Sequence, residues 1–274
     1  MPPSIVRLAN DLLPPALLRL WRRLRRPRYG FFGSYETYDE AAAAAGGAGY
    51  SDAAMVDAIV QAQRQRADIR GPIKLEDRWL QLELGISHAL ADAPEGELRV
   101  LDFGGAAGTH YFDVNRWREQ TGWPPVRLRW QVCETAAMVA AAQPVLGGEE
   151  LSFHASLDEV EGGAYDLVYV SGSVQYVPDS EATWDRLAAL PHSWLVLNRT
   201  PFIPALNDVF AVQRVILPGG QPATYPGRFL AEAPWLERIA RTHELIVRWP
   251  ERGAPTYVQA RRDVRYGGML LRRR

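Results

Sequence analysis

Val100-Leu101-Asp102-Phe103-Gly104-Gly105-Ala106-Ala107-Gly108 is the stretch that decides the fold. An apolar run of strand length ends in a carboxylate, passes through small residues, and opens into Thr109-His110-Tyr111-Phe112, where a helix begins. Small residues let a ligand approach the backbone, and in open α/β sheets ligands bind beyond the carboxyl ends of the strands. Outward from this turn, strand-like runs recur at 127–133, 151–154, 166–171 and 194–198, with helical stretches near 109–119, 135–142 and 180–190. Such alternation predicts βαβ units and a mostly parallel sheet covered on both faces. A helix near 233–241 and late strands at 245–249 and 268–272 complete a domain spanning 96–274. Residues 201–227, rich in proline and glycine, are expected to form an irregular insertion.

Upstream, residues 29–95 read as a helical extension without strand alternation, with helices at 36–45, 51–66 and 76–91. The aromatic connector Tyr29–Tyr38 either covers the site as a lid or staples the extension to the sheet. Residues 1–28 carry a predicted basic amphipathic helix, with Leu17, Leu20, Trp21 and Leu24 on one side and arginines on the other. That helix can lie on an anionic membrane surface, or pack on its own domain with its arginines solvated.

Composition narrows the class. With 274 residues, 47% hydrophobic and 23% charged, the chain can bury a full core. Its single cysteine, Cys133, excludes a disulfide framework and a cysteine-clustered zinc site. There is no apolar run long enough to span a bilayer and no secretory signal pattern, so a cytoplasmic location is expected, with peripheral membrane contact through the first helix as an open alternative. Residues 1–30 hold seven arginines against Asp11, and residues 261–274 hold six against Asp263. The net charge of −1 therefore hides an acidic body with basic ends, which read as sticky termini. Nucleic acid is not expected as a partner, because base-stacking aromatics do not cluster beside the basic residues.

Two ligand classes compete for the glycine turn. A dinucleotide needs Gly-x-Gly-x-x-Gly, and here Ala106 and Thr109 replace the second and third glycines. Asp102 would also repel a pyrophosphate, whereas it attracts a cationic ligand such as a sulfonium. Glu134, at the end of the next strand, can accept hydrogen bonds from two ribose hydroxyls. The pattern Asp102-x-Gly104-x-Ala106-x-Gly108 followed by Glu134 resembles class I S-adenosylmethionine-dependent methyltransferases, with Ala106 for the usual middle glycine. The resemblance implies a Rossmann-like, mostly parallel seven-stranded sheet and S-adenosylmethionine as cofactor. It places Asp102, Gly104, Gly105, Ala106, Gly108 and Glu134 at the cofactor, Ser156 beside the adenine, and Ser171 and Gln175 near the methionine end.

Further segments resemble a narrower family of methyltransferases encoded among bacterial surface-polysaccharide genes: YGFFGSYETYDEA (29–41), SGSVQYV (171–177), NRTPF (198–202), VQRV (212–215), TYP (224–226) and YGGMLLRR (266–273). Asn198 and Arg228 depart from that pattern. The resemblance implies a saccharide acceptor in surface-glycan assembly; another small molecule, or a non-catalytic cofactor-binding module, are the rivals.

A hydroxyl acceptor must lose a proton, so a base is needed. His110, in the first turn of the helix after the glycines, is the leading candidate, since a helix amino terminus favours a neutral imidazole. Its alternative roles are to cap the turn or to hydrogen-bond the cofactor carboxylate. Asp208, in the insertion, and Tyr176 are the other candidates, Tyr176 with packing as its alternative role. Arg199 can pair with an acidic sugar or a phosphate, or stand as a surface cation. Asp179 reads as a helix cap, and no His/Asp/Glu triplet has metal spacing, so no metal site is expected.

Overall fold

The computed structural model describes residues 29–47, 52–67, 77–93, 96–122, 126–160, 163–216, 220, 222–251, 258–259 and 261–274. The predicted basic helix in 1–28 lies outside the described residues. Ten strands form one mixed sheet: β1 (Gly30–Tyr35), β2 (Glu97–Phe103), β3 (Arg127–Cys133), β4 (Leu151–His154), β5 (Tyr165–Ser171), β6 (His192–Ile203), β7 (Val209–Ile216), β8 (Pro222–Ala231), β9 (His243–Pro250) and β10 (Arg265–Arg273). Seven helices accompany them among the described residues: α1 (Tyr38–Ala45), α2 (Ala53–Ala67), α3 (Asp77–Asp92), α4 (Thr109–Thr121), α5 (Ala136–Leu146), α6 (Ser180–Ala189) and α7 (Glu232–Ala240).

Strands β4, β3, β2, β5 and β6 lie side by side and all parallel. The order turns back on itself at β2, whose neighbours are β3 and β5, which makes its carboxyl end a topological switch point. Beyond β6 the sheet continues through β10 and β9, each antiparallel to its neighbour. These seven strands form the core, but the sheet is larger and more mixed than the seven strands expected. The insertion is not irregular: β7 and β8 pair antiparallel over its length, and β1 adds antiparallel to β7. The helical extension therefore contributes a strand as well.

Alternation along each strand sorts the core into two layers. Leu98, Val100, Trp130, Val132, Leu167, Tyr169 and Val196 face Trp79, Leu82 and Ile86 of α3, Val114 of α4 and Met138 of α5. Leu101, Phe103, Val168, Val170, Leu195 and Leu197 face Trp184 and Leu187 of α6 and Trp235 and Ile239 of α7. Asp102 falls on the first of these faces, in register with Leu98 and Val100. Hence its carboxylate points under α4.

Phe31 explains why β1 docks. It is fully buried, packs its ring tilted against Phe229 of β8 at 4.9 Å, and bridges to Val258. Pro226 is tolerated within β8 because β8 meets β6 only at Leu230 and Ala231, so its upstream part has one paired ladder. The basic carboxyl-terminal segment is no loose tail. As β10 it lies between β6 and β9, with Arg273 donating to the Leu190 carbonyl and Arg274 to the His243 carbonyl. Its chemistry is that of an interior strand with charged ends. No described helix is long and apolar enough to cross a membrane.

Candidate active site

The turn after β2 forces the local geometry. Gly104 sits at φ 73° and Gly108 at φ 74°, in the left-handed region. Ala106 adopts φ 49°, unusual for alanine, and its N–H donates to Glu134 Oε1 at 3.0 Å. The other Glu134 oxygen accepts from the Thr135 N–H at 2.8 Å, while Thr135 caps α5 through the Met138 N–H. Burial pushes the Glu134 carboxyl above the usual carboxylate range, against the pull of those two N–H groups and with a smaller push from Asp102. Each carboxylate oxygen keeps a further lone pair for a ligand hydroxyl.

Two cavities meet at the turn. The smaller, about 620 Å³, is walled by Glu134, Ser156, Leu157, Gly104, Tyr38 and Tyr225, among others. The larger, about 1130 Å³, is lined by Gly104, Gly105, Ala106, His110, Ser171, Gln175 and Arg199, and by residues of β10 and its approach. Tyr176 and Tyr225 line both and cross edge to face at 5.3 Å. Tyr38 also anchors this wall, its hydroxyl donating to the Tyr176 carbonyl at 3.3 Å. The connector region thus staples the extension through β1 and walls the cavity through Tyr38.

Asp102 lines neither cavity. Fully buried, it accepts from Trp130 Nε1 at 3.2 Å and faces His110 Nδ1 at 2.9 Å. A Cβ at Gly105 would overlap the Asp102 carboxylate, so this glycine is required by close approach. With the Asp102 carboxylate accepting from both the indole and the imidazole, Nδ1 carries the ring proton and Nε2 keeps a free lone pair. Nε2 has no hydrogen-bond partner among the described residues, and the ring borders the larger cavity. Asp102 thus reaches the larger cavity only by way of His110, whose ring borders it.

Gln175 is 1% exposed; its Nε2 donates to the Arg199 carbonyl at 3.3 Å, leaving Oε1 without a partner among the described residues. Ser171 ends β5 on the same cavity, and Ser156 opens a short 3-10 turn on the other. Gly108 starts α4 and packs on Leu151 and Phe153, away from both cavities.

Asp208 is a correction. It reads as a candidate base from its place in the insertion, yet it lines neither cavity. Its carboxylate accepts from Arg228, the Ala231 N–H at 2.7 Å and Trp235 Nε1, tying β8 to α7. Asn198 and Arg228 are equally structural: Asn198 Oδ1 accepts from Trp249 Nε1 at 3.0 Å, and Arg228 donates to the Pro178 carbonyl at 2.8 Å. Asp179 caps α6 by accepting from the Ala182 N–H. Among the described residues no group of three or more His, Cys, Asp or Glu side chains could hold a metal.

Several lining residues escape local sequence reasoning: Gln213 and Tyr225 from the β7–β8 hairpin, and Glu251, Arg261, Arg262 and Arg265 near the carboxyl terminus. The charge run of 261–274 is the signal for the arginines, and the segments VQRV and TYP are the signal for Gln213 and Tyr225.

No family model matches the sequence, and neither does any curated protein. Among solved structures, the CcbJ methyltransferase of Streptomyces caelestis is similar at 14% identity and a TM-score of 0.47, over 81% of this chain and 99% of that one. The magnesium protoporphyrin IX methyltransferase ChlM of Synechocystis PCC 6803 is similar at 18% identity and a TM-score of 0.44, over 78% and 94%. The cyclase SpnF is similar at 12% identity and a TM-score of 0.47, over 80% and 94%.

Proposed function

We propose that the chain is an S-adenosylmethionine-dependent methyltransferase that methylates a hydroxyl of a saccharide, in surface-glycan assembly as the sequence resemblance implies. One observation carries the reading. At the switch point of the sheet, a small-residue turn separates a carboxylate-walled cavity from a larger one that presents a positioned imidazole.

The residues present suit the cofactor. Glu134 has lone pairs left for ribose hydroxyls, Ser156 and Leu157 supply the far wall, and the unpartnered Oε1 of Gln175 suits the ammonium of a methionine moiety. When bound, S-adenosylmethionine would supply an electrophilic methyl group on a cationic sulfur. The protein's own work is alignment and removal of one proton. Asp102 holds His110 in the Nδ1–H tautomer and would stabilise the imidazolium formed when Nε2 takes the acceptor's proton. Tyr176 and Tyr225 narrow the junction between the cavities and restrict water there.

Calorimetry with S-adenosylhomocysteine, combined with transfer from radiolabelled S-adenosylmethionine to saccharide acceptors, tests this. The expected result is binding that weakens about tenfold or more in Glu134→Ala, and transfer that is lost in His110→Gln while binding persists. Absence of binding at millimolar ligand would overturn it.

A further inference from the structure

The larger cavity carries a charge imbalance that methyl transfer itself does not need. Four arginines line it, Arg199, Arg261, Arg262 and Arg265, against one carboxylate, Glu251. Two are partly neutralised within the protein. Arg261 makes a two-pronged pair with Asp263 at 3.0 and 2.6 Å, and Arg199 Nε stands 3.5 Å from Glu251. The guanidinium groups of Arg262 and Arg265 have no hydrogen bond or ion pair among the described residues. Like charges gathered around one concave surface raise its potential and draw in an anion.

The placement of Arg199 is built rather than incidental. In the pairing of β6 with β10, Leu197 faces Met269 and Thr200 faces Gly267, so Asn198 and Arg199 together oppose Gly268 alone. This is a β-bulge, and a bulge re-aims a side chain beside a site. Arg199 adopts φ 51° there, a left-handed conformation that strains a non-glycine residue. Two bonds enforce it: the Gly172 N–H donates to the Asn198 carbonyl at 2.9 Å, and Gln175 Nε2 donates to the Arg199 carbonyl at 3.3 Å. Gly268 is demanded by the same bulge, since a Cβ there would overlap the Trp249 indole and approach Asn198 Oδ1. The strained Arg199 and the Gln175 amide oxygen, which has no partner among the described residues, thus share one support on the larger cavity.

We infer that the acceptor carries a phosphate or pyrophosphate group, held in the larger cavity by Arg199, Arg262 and Arg265. Guanidinium groups grip phosphate oxygens in pairs of charge-assisted hydrogen bonds. Two arginines unpaired among the described residues and a third only weakly paired match two or more negative charges better than one carboxylate. This inference rests on the methyltransferase reading for the word acceptor, but the oxyanion site itself does not.

The test titrates pyrophosphate, inorganic phosphate, glucuronate and glucose into the full-length protein by calorimetry, with and without S-adenosylhomocysteine, at low and high salt. Pyrophosphate is expected to bind about tenfold or more tighter than glucuronate and glucose, with affinity that falls as salt rises. Arg199→Gln, Arg262→Gln and Arg265→Gln are each expected to weaken pyrophosphate by about tenfold while leaving S-adenosylhomocysteine binding and the melting temperature unchanged. Arg129→Gln, at an exposed arginine paired with Glu97, serves as the control and should change nothing. Pyrophosphate no tighter than glucose, or unaffected by all three substitutions, overturns the inference; tighter glucuronate overturns the phosphate assignment. Pyrophosphate binding without S-adenosylhomocysteine binding would sink the methyltransferase reading and leave the oxyanion site standing.

Discussion

His110 Nδ1 lies 2.9 Å from an oxygen of Asp102, a carboxylate with no exposed surface, across eight residues of chain. The turn between them serves two ends at once. It leaves backbone bare where two cavities meet and sets an acid beneath the first turn of α4, so that imidazole orientation and turn geometry depend on each other.

Asp102→Asn is the direct consequence. Asparagine still accepts from Trp130, so the fold should hold, but its amide cannot enforce the Nδ1–H tautomer. Turnover is expected to fall by about 10²–10⁴-fold, as when a base loses its orienting group. Because Asp102 lines neither cavity, S-adenosylhomocysteine affinity should stay within about threefold by calorimetry. Affinity lost in step with turnover would place Asp102 at the ligand instead.

Gly105→Ala should act through the same pair. The added Cβ overlaps the Asp102 carboxylate, so one of them must move. A loss of about 1–3 kcal/mol in denaturant unfolding is expected, typical of overpacking at a closed site. Turnover should fall as well. An unaltered unfolding midpoint would show that the turn can relax at no cost.

Stability should depend on pH through a second pair of rings. His192 and His243 stack at 5.1 Å with their Nε2 atoms 2.8 Å apart, and burial pushes each down to about 4. For His243 the neighbouring ring and Arg273 add to the fall. Above the ordinary histidine range both folded and unfolded chains are neutral there, and no pH dependence arises. Between about pH 6.5 and 4 the unfolded chain takes up protons that the folded one refuses, so stability drops as pH falls, by up to about 1.4 kcal/mol per pH unit for each ring. Below that window the loss stops growing. In His243→Leu the slope measured by denaturant titration should be shallower by about one proton; an unchanged slope refutes the assignment.

Cys133 lies on the wall of the smaller cavity, and burial pushes its thiol up to about 12. Its thiolate fraction at mild alkaline pH is then about a thousandfold below that of an ordinary cysteine. Iodoacetamide should label the native protein slower than the denatured chain by a factor of that order. Equal rates would mean that the cavity wall opens readily.

Glu134 offers a check on the turn alone. Its carboxylate holds Ala106 in the left-handed region through one N–H bond. Glu134→Gln can accept through one oxygen only, so Ala106 or Thr135 loses its partner. A stability loss of about 1–3 kcal/mol is expected, and Ala106→Gly in the same background should recover part of it by removing the backbone strain. No recovery would show that the turn does not need that bond.

Local pattern was enough for the central architecture. Leu98–Phe103, Arg127–Cys133, Leu151–His154 and the helices between them carry their period and their turn residues within a few positions, so a parallel sheet and a tight small-residue turn at Gly104 were legible from sequence. Contacts between distant residues were not. Phe31 and Gln213 pair across most of the chain, so neither the strand at Gly30–Tyr35 nor the hairpin in the insertion could be recognised by composition alone. Asp208 looked free because nothing nearby in sequence claims its oxygens; Arg228, Ala231 and Trp235 reach it only once β8 and α7 are packed. The arginines at 261–265 looked like a tail for the same reason. Charge and residue type are properties of a sequence, but which cavity a charge faces is fixed by strand pairing, and that is a long-range event.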